Sequence, residues 1–79
     1  MPHLPDDDAW LDRERRAIGD RIRVRRIRQD MTQETVHLAV GLARSSYQEI
    51  EAGRANPTIN TLLRIARVLG VHVTDLLHG

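Results

Sequence analysis

Arg44, Ser45, Gln48 and Glu49 follow one another at spacings that put all four on one face of a helix. A guanidinium can donate bidentately to guanine O6 and N7, a carboxamide can address adenine, and a carboxylate can accept from cytosine N4. A hydroxyl such as that of Ser45 serves a base or a phosphate equally well. The same four side chains also suit an ordinary solvated face. For Glu49 the two readings stand level, because a carboxylate beside a phosphate backbone repels it unless a donor is at hand. Catalytic chemistry finds less support. The chain has no cysteine, which excludes disulfides, thiolate metal sites and cysteine nucleophiles. His3, His37, His72 and His78 lack metal-ligand spacing. No nucleophile–base pair, paired carboxylates in an acid/base setting or phosphate-cradling glycine loop is present. Neither an enzyme, a metal site nor a bound cofactor is expected.

A second group of residues suits phosphate. Gln33 falls in the first turn of a helix, where its carboxamide and the free backbone amides can meet an anion, although simple capping is the alternative. Arg54, Asn56, Thr58 and Asn60 cluster around another helix start. They read either as a phosphate clamp or as a loop in which Asn56 sets the turn before Pro57.

Charge supports a polyanionic partner. The formal net charge of the 79 residues is only +1, yet all twelve basic residues are arginine and none precedes position 13. Residues 1–12 carry −4, and residues 13–79 set twelve arginines against seven acids, for +5. A basic body behind an acidic segment is a different object from a neutral protein. At this length one domain is expected, without room for a separate ligand-sensing unit. No signal peptide or membrane-spanning run is visible, so a cytoplasmic location fits.

The elements that must position these groups are all helical. Residues 1–12, with two prolines and Asp6, Asp7, Asp8 and Asp12, read as a flexible acidic arm. A first helix runs from about Leu11 to Gln29, with Ile18 and Ile22 on its inner face and Gly19 implying close packing. Thr32 caps a second helix whose apolar side is Val36, Leu38, Ala39 and Val40, and Gly41 ends it. A third helix spans about Ala43 to Ala52, turning Tyr47, Ile50 and Glu51 inward. Thr58 caps a fourth, with Ile59, Leu62, Leu63, Ala66 and Leu69 as its apolar stripe. Thr74 caps a short fifth helix. Trp10 caps helix one, joins a dimer contact or stays partly exposed. No strand is expected.

Ile18-Gly19 with Ile22 and Arg26 is one recognisable piece. Met31-Thr32-Gln33-Glu34 through Gly41, Tyr47 to Arg54 with Asn56-Pro57, and Leu62 to Leu77 supply the others. In this order and spacing, residues 18–77 resemble the Cro/repressor-type, lambda-repressor-like helix-turn-helix DNA-binding family. The resemblance implies a compact five-helix domain over residues 13–79, with helices 2 and 3 forming the helix-turn-helix. It implies that Arg44, Ser45, Gln48 and Glu49 meet base edges and that Gln33 contacts phosphate. It further implies that Arg26 and Glu51 form a structural pair. Two departures from the family pattern bear on how helix 3 is aimed. His37 stands where a small alanine is usual, and Ala43 where a Ser or Thr cap is usual. The first suggests a wider crossing of helices 2 and 3 or a ring reaching outward. Tyr47 replaces an aliphatic core residue, its ring packed and its hydroxyl satisfied at the rim.

The expectation is a sequence-specific regulator that binds double-stranded DNA, on a pseudo-palindromic operator and as a homodimer. Val71, Val73, Leu76 and Leu77 are the expected dimer interface. No membrane or small-molecule partner is implied. The competing reading is an antitoxin or adaptor that uses the same fold to bind a protein partner, such as a toxin or another regulator.

Overall fold

A computed structural model describes residues 7–78. The helices are α1 (Asp7–Arg28), α2 (Gln33–Val40), α3 (Arg44–Glu51), α4 (Ile59–Leu69) and α5 (Val73–Leu77). No strand occurs among the described residues. The all-α expectation is met, but α1 starts earlier than the acidic composition suggested. Residues 7–12 are its first turns rather than an arm, and only 1–6 of that segment lie outside the described residues. The physical reason is the helix dipole: an acid such as Asp8 is favourable in a first turn, where the amides leave positive charge.

Helices α2 and α4 start and stop on legible devices, a threonine cap and a left-handed glycine. Thr32 accepts the Thr35 amide at 3.0 Å and opens α2. Thr58 does the same for Thr61 at 3.1 Å and opens α4. Gly41 takes a left-handed φ of 85° after α2, a conformation that costs an L side chain about 1–2 kcal/mol. Ala43 caps α3 with no side-chain bond. For α5 the cap is His72, not Thr74: the His72 amide donates to the Asp75 carboxylate at 3.1 Å.

The core is Ile22, Val36, Val40, Tyr47, Ile50, Leu62, Ile65, Ala66, Leu69 and Leu76. Two apolar stripes are therefore rotated from their expected positions. In α2 only Val36 and Val40 are buried, while Leu38 and Ala39 face solvent. In α4 Ile65 is fully buried, whereas Ile59 and Leu63 are exposed. Both helices carry apolar residues on more than one face, so periodicity alone left the inner face ambiguous. Leu76 also changes role. It is fully buried against the body and unavailable to a dimer interface, leaving half-buried Val71 and Val73 with exposed Leu77.

α1 packs across α3 and α5, and α2 packs on α3 and α4. Gly19 makes the first contact possible. A Cβ there would lie 2.6 Å from the Ile50 carbonyl oxygen and closer still to that of Glu51. Glycine thus lets α1 touch the backbone at the end of α3, fixing the direction in which α3 points.

Candidate nucleic-acid interface

The end of α3 is held by a buried carboxylate. Glu51 is almost wholly enclosed. Arg26 donates from Nε to its Oε2 at 2.7 Å and from Nη2 to its Oε1 at 3.1 Å. Gln33 Nε2 adds a bond to Oε1 at 3.1 Å, and the Tyr47 hydroxyl donates to Oε2. Arg26 also donates from Nη1 to the Met31 carbonyl at 2.9 Å, which joins α1 to the start of the helix-turn-helix. Burial alone would raise the Glu51 pKa. The hydrogen bonds from Arg26, Tyr47 and Gln33, with the Arg26 charge, outweigh it and hold the carboxyl below its ordinary value. Burial and the bond to Glu51 push the Tyr47 phenol upward, so it remains a donor.

The expected Arg26–Glu51 pair is present, and it belongs to a larger cluster. The Tyr47 ring is packed and its hydroxyl satisfied, as expected, but the hydroxyl meets Glu51 inside the core rather than at the rim. The spacing of Tyr47 and Glu51, one helical turn apart on one face, was the available signal for this bond.

From Glu51 the cluster reaches outward. Gln48 Nε2 donates to Gln33 Oε1 at 3.2 Å, so α3's outer face is tied to the first turn of α2. Arg44, Ser45 and Glu49 are exposed on that face, and Gln48 is half-buried. Glu49 has a donor beside it: Arg54 Nε approaches its Oε2 to 2.7 Å, which raises the Arg54 pKa. Two residues with separate expected roles, base reading and phosphate binding, are thereby brought together.

Arg54, Asn56, Thr58 and Asn60 all lie exposed near the start of α4. The Thr58 hydroxyl is committed to capping, so its backbone and neighbours present the freer groups there. α3 is consequently flanked by two helix N-termini, those of α2 and α4, whose amides and dipoles suit phosphate.

The half-buried His37 ring folds onto the turn after α2 rather than reaching outward. Its Nδ1 lies 2.9 Å from the Leu42 carbonyl, bridging the turn between α2 and α3. Composition and periodicity carried no signal for that contact. Among the described residues, no group of three or more His, Asp or Glu is arranged to hold a metal ion. No helix among them is long and apolar enough to cross a membrane.

Comparison with known proteins agrees with this geometry. A helix-turn-helix family model matches residues 22–76. An uncharacterized HTH-type transcriptional regulator of Sinorhizobium fredii, y4dJ, is 34% identical over 62 residues, covering 78% of this chain and 80% of that protein. The cryptic phage CTXphi transcriptional repressor RstR of Vibrio cholerae is 30% identical over 58 residues, 73% of this chain and 52% of that protein. Among solved structures, the restriction-modification controller protein C.AhdI of Aeromonas hydrophila matches with a TM-score of 0.76 and 29% identity. That match covers 86% of this chain and 97% of the controller. The clp gene regulator ClgR of Corynebacterium glutamicum matches with a TM-score of 0.77 and 27% identity, over 80% of this chain and 67% of its own.

Proposed function

The chain belongs to the Cro/repressor-type helix-turn-helix family of transcriptional regulators, and on that premise we propose that it reads a pseudo-palindromic DNA operator as a homodimer. The observation that carries the reading is the exposed face of α3, framed by the N-termini of α2 and α4 and held in aim by the Glu51 cluster. α3 enters the major groove, where Arg44 and Gln48 offer the donor patterns suited to guanine and adenine. Ser45 reads base or phosphate, and Glu49 accepts from cytosine or holds Arg54. Gln33 with its backbone amide, and Arg54, Asn56, Thr58 and Asn60, position the domain on phosphate.

Two copies are needed because one recognition helix reads too few base pairs for useful specificity. Half-site centres about 34 Å apart put both helices on one side of the duplex. Val71, Val73 and Leu77 are the surface proposed for that contact. The protein acts in the cytoplasm, on the nucleoid when bound. Likeness to a phage repressor and to a restriction-modification controller supports a role in transcription control.

Selection from a random duplex library, followed by salt titration of the winner against scrambled duplex, tests the reading. An inverted repeat bound at least about 10³-fold more tightly than scramble is expected. Weak binding with a steep salt slope and no consensus would overturn it, leaving only an electrostatic surface.

A further inference from the structure

Trp10, Leu11, Val24 and Ile27 account for half of the large apolar side chains that the described residues leave exposed, and all four lie on α1. Three residues of α1, Trp10, Ala17 and Val24, recur every seven positions, which is two helical turns, and Ile27 lies one turn beyond Val24. They form a stripe on the flank turned away from Gly19 and Ile22, the residues that face the body. Trp10 is 53% exposed and Ile27 57%.

The charges along the helix are polarised. Residues 7–14 hold four acids and one arginine, and residues 21–28 hold five arginines and no acid. Acid at the N-terminus and base at the C-terminus complement the helix's own dipole. That does not account for the apolar stripe running between them.

We propose that α1 pairs antiparallel with α1 of a second copy, about a two-fold axis at Ala17. This surface differs from the Val71, Val73 and Leu77 surface and does not depend on the DNA-binding reading, although Val24 borders Asp75 and His78 at the α5 end. Small Ala17 permits close approach of the two helices, and Trp10 of each copy packs on Val24 and Ile27 of the other. In an antiparallel pair, each flank of one helix meets the same flank of its mate. Arg13 and Asp20 share one flank, and Glu14 and Arg21 share the other. Across the axis Arg13 thus lies beside Asp20 of the second copy, and Glu14 beside Arg21. Each pairing occurs twice and each is of opposite sign. Within its own chain Asp20 also meets Arg23 at 3.2 Å, and Arg21 Nη1 donates to the Leu76 carbonyl at 3.1 Å. A parallel pair would instead set the arginine-rich thirds against each other.

The native chain lacks cysteine, so disulfide trapping has no background. On oxidation without DNA, full-length Ala17→Cys is expected to give a covalent dimer, because the axis brings its two copies within bridging range. Trp10→Cys alone should not, its copies standing roughly 21 Å apart along the axis. Trp10→Cys mixed with Val24→Cys should link. The Ala17→Cys link should persist with Leu77→Glu, which disables the α5 surface. An Ala17→Cys yield no greater than that of exposed Leu38→Cys would overturn the pairing, as would self-linking of Trp10→Cys. Loss of the link with Leu77→Glu would overturn a separate interface. In sedimentation equilibrium on the Leu77→Glu background, Arg13→Asp and Asp20→Arg should each weaken association about tenfold. Their combination should restore it, and failure to do so would refute the charge register.

Discussion

Gln48 on α3 donates its side-chain amide to the Gln33 side-chain oxygen Oε1 at the start of α2, 3.2 Å away, and Gln33 in turn donates through Nε2 to Glu51. A residue suited to base reading is therefore held by one suited to phosphate. Gln33→Ala should lower operator affinity and also blur base preference at the position that Gln48 addresses. In a double-mutant cycle with Gln48→Ala, a coupling of about 0.5–3 kcal/mol is expected by fluorescence anisotropy. Simple additivity would show that the two glutamines act independently on DNA.

Glu51 makes the helix-turn-helix acid-sensitive. Its pKa is depressed in the folded state, so the stability it contributes is fully present above the ordinary glutamate range. That contribution is lost as pH falls through the folded-state value. Glu51→Gln leaves Arg26 without its charged partner in a largely buried setting and should cost about 3 kcal/mol at neutral pH. In urea titrations from pH 7 downward, the gap between wild type and Glu51→Gln should begin to narrow once pH falls below the ordinary glutamate range and close only below the depressed folded-state value. A gap that stays constant with pH would mean the pair contributes through packing alone.

Gly19 sets helix propensity against packing. Alanine would favour an isolated helix by about 1 kcal/mol. Here its Cβ would strike the backbone of Ile50 and Glu51, which cannot rotate away as a side chain can. Gly19→Ala should therefore destabilise by a net 2 kcal/mol or more, on the order of other overpacked sites. Gly41→Ala meets nothing and should cost only the left-handed conformation, about 1–2 kcal/mol. Thermal unfolding of the two variants gives the order, and a neutral Gly19→Ala would mean that α1 and α3 can separate freely.

The elements and the close approach at Gly19 were legible because each rests on local chemistry: the Thr32 and Thr58 caps, the glycine stops, and a breaker inside an otherwise strong helix. Less legible was which face each helix buries. α2 and α4 display Leu38, Ile59 and Leu63 to solvent, and only tertiary packing selects Ile65 over Leu63. The Arg26–Glu51 pair came from family resemblance, since the two residues are remote in sequence. The extension of α1 to Asp7 is hidden by two preceding prolines and an acidic cluster, a composition that flexible arms and helix N-termini share. Contacts such as Arg21 Nη1 to the Leu76 carbonyl, at 3.1 Å, leave no trace in any local pattern.

Arg54 and Glu49 carry the last prediction, because their ion pair joins a candidate phosphate contact to a candidate base contact. Both side chains are well exposed, so the pair adds little to stability and its importance lies in what it withholds from DNA. Glu49→Gln removes a carboxylate near the phosphate backbone and releases the Arg54 guanidinium from its partner. Affinity for scrambled duplex should rise several-fold at low salt, and the salt slope should steepen by about one phosphate contact. Discrimination between operator and scramble should fall, since the gain is blind to sequence. Arg54→Ala should have the opposite effect on the slope. If Glu49→Gln instead weakens operator binding and leaves scramble unchanged, Glu49 reads a cytosine edge directly and its pairing with Arg54 is only the resting arrangement.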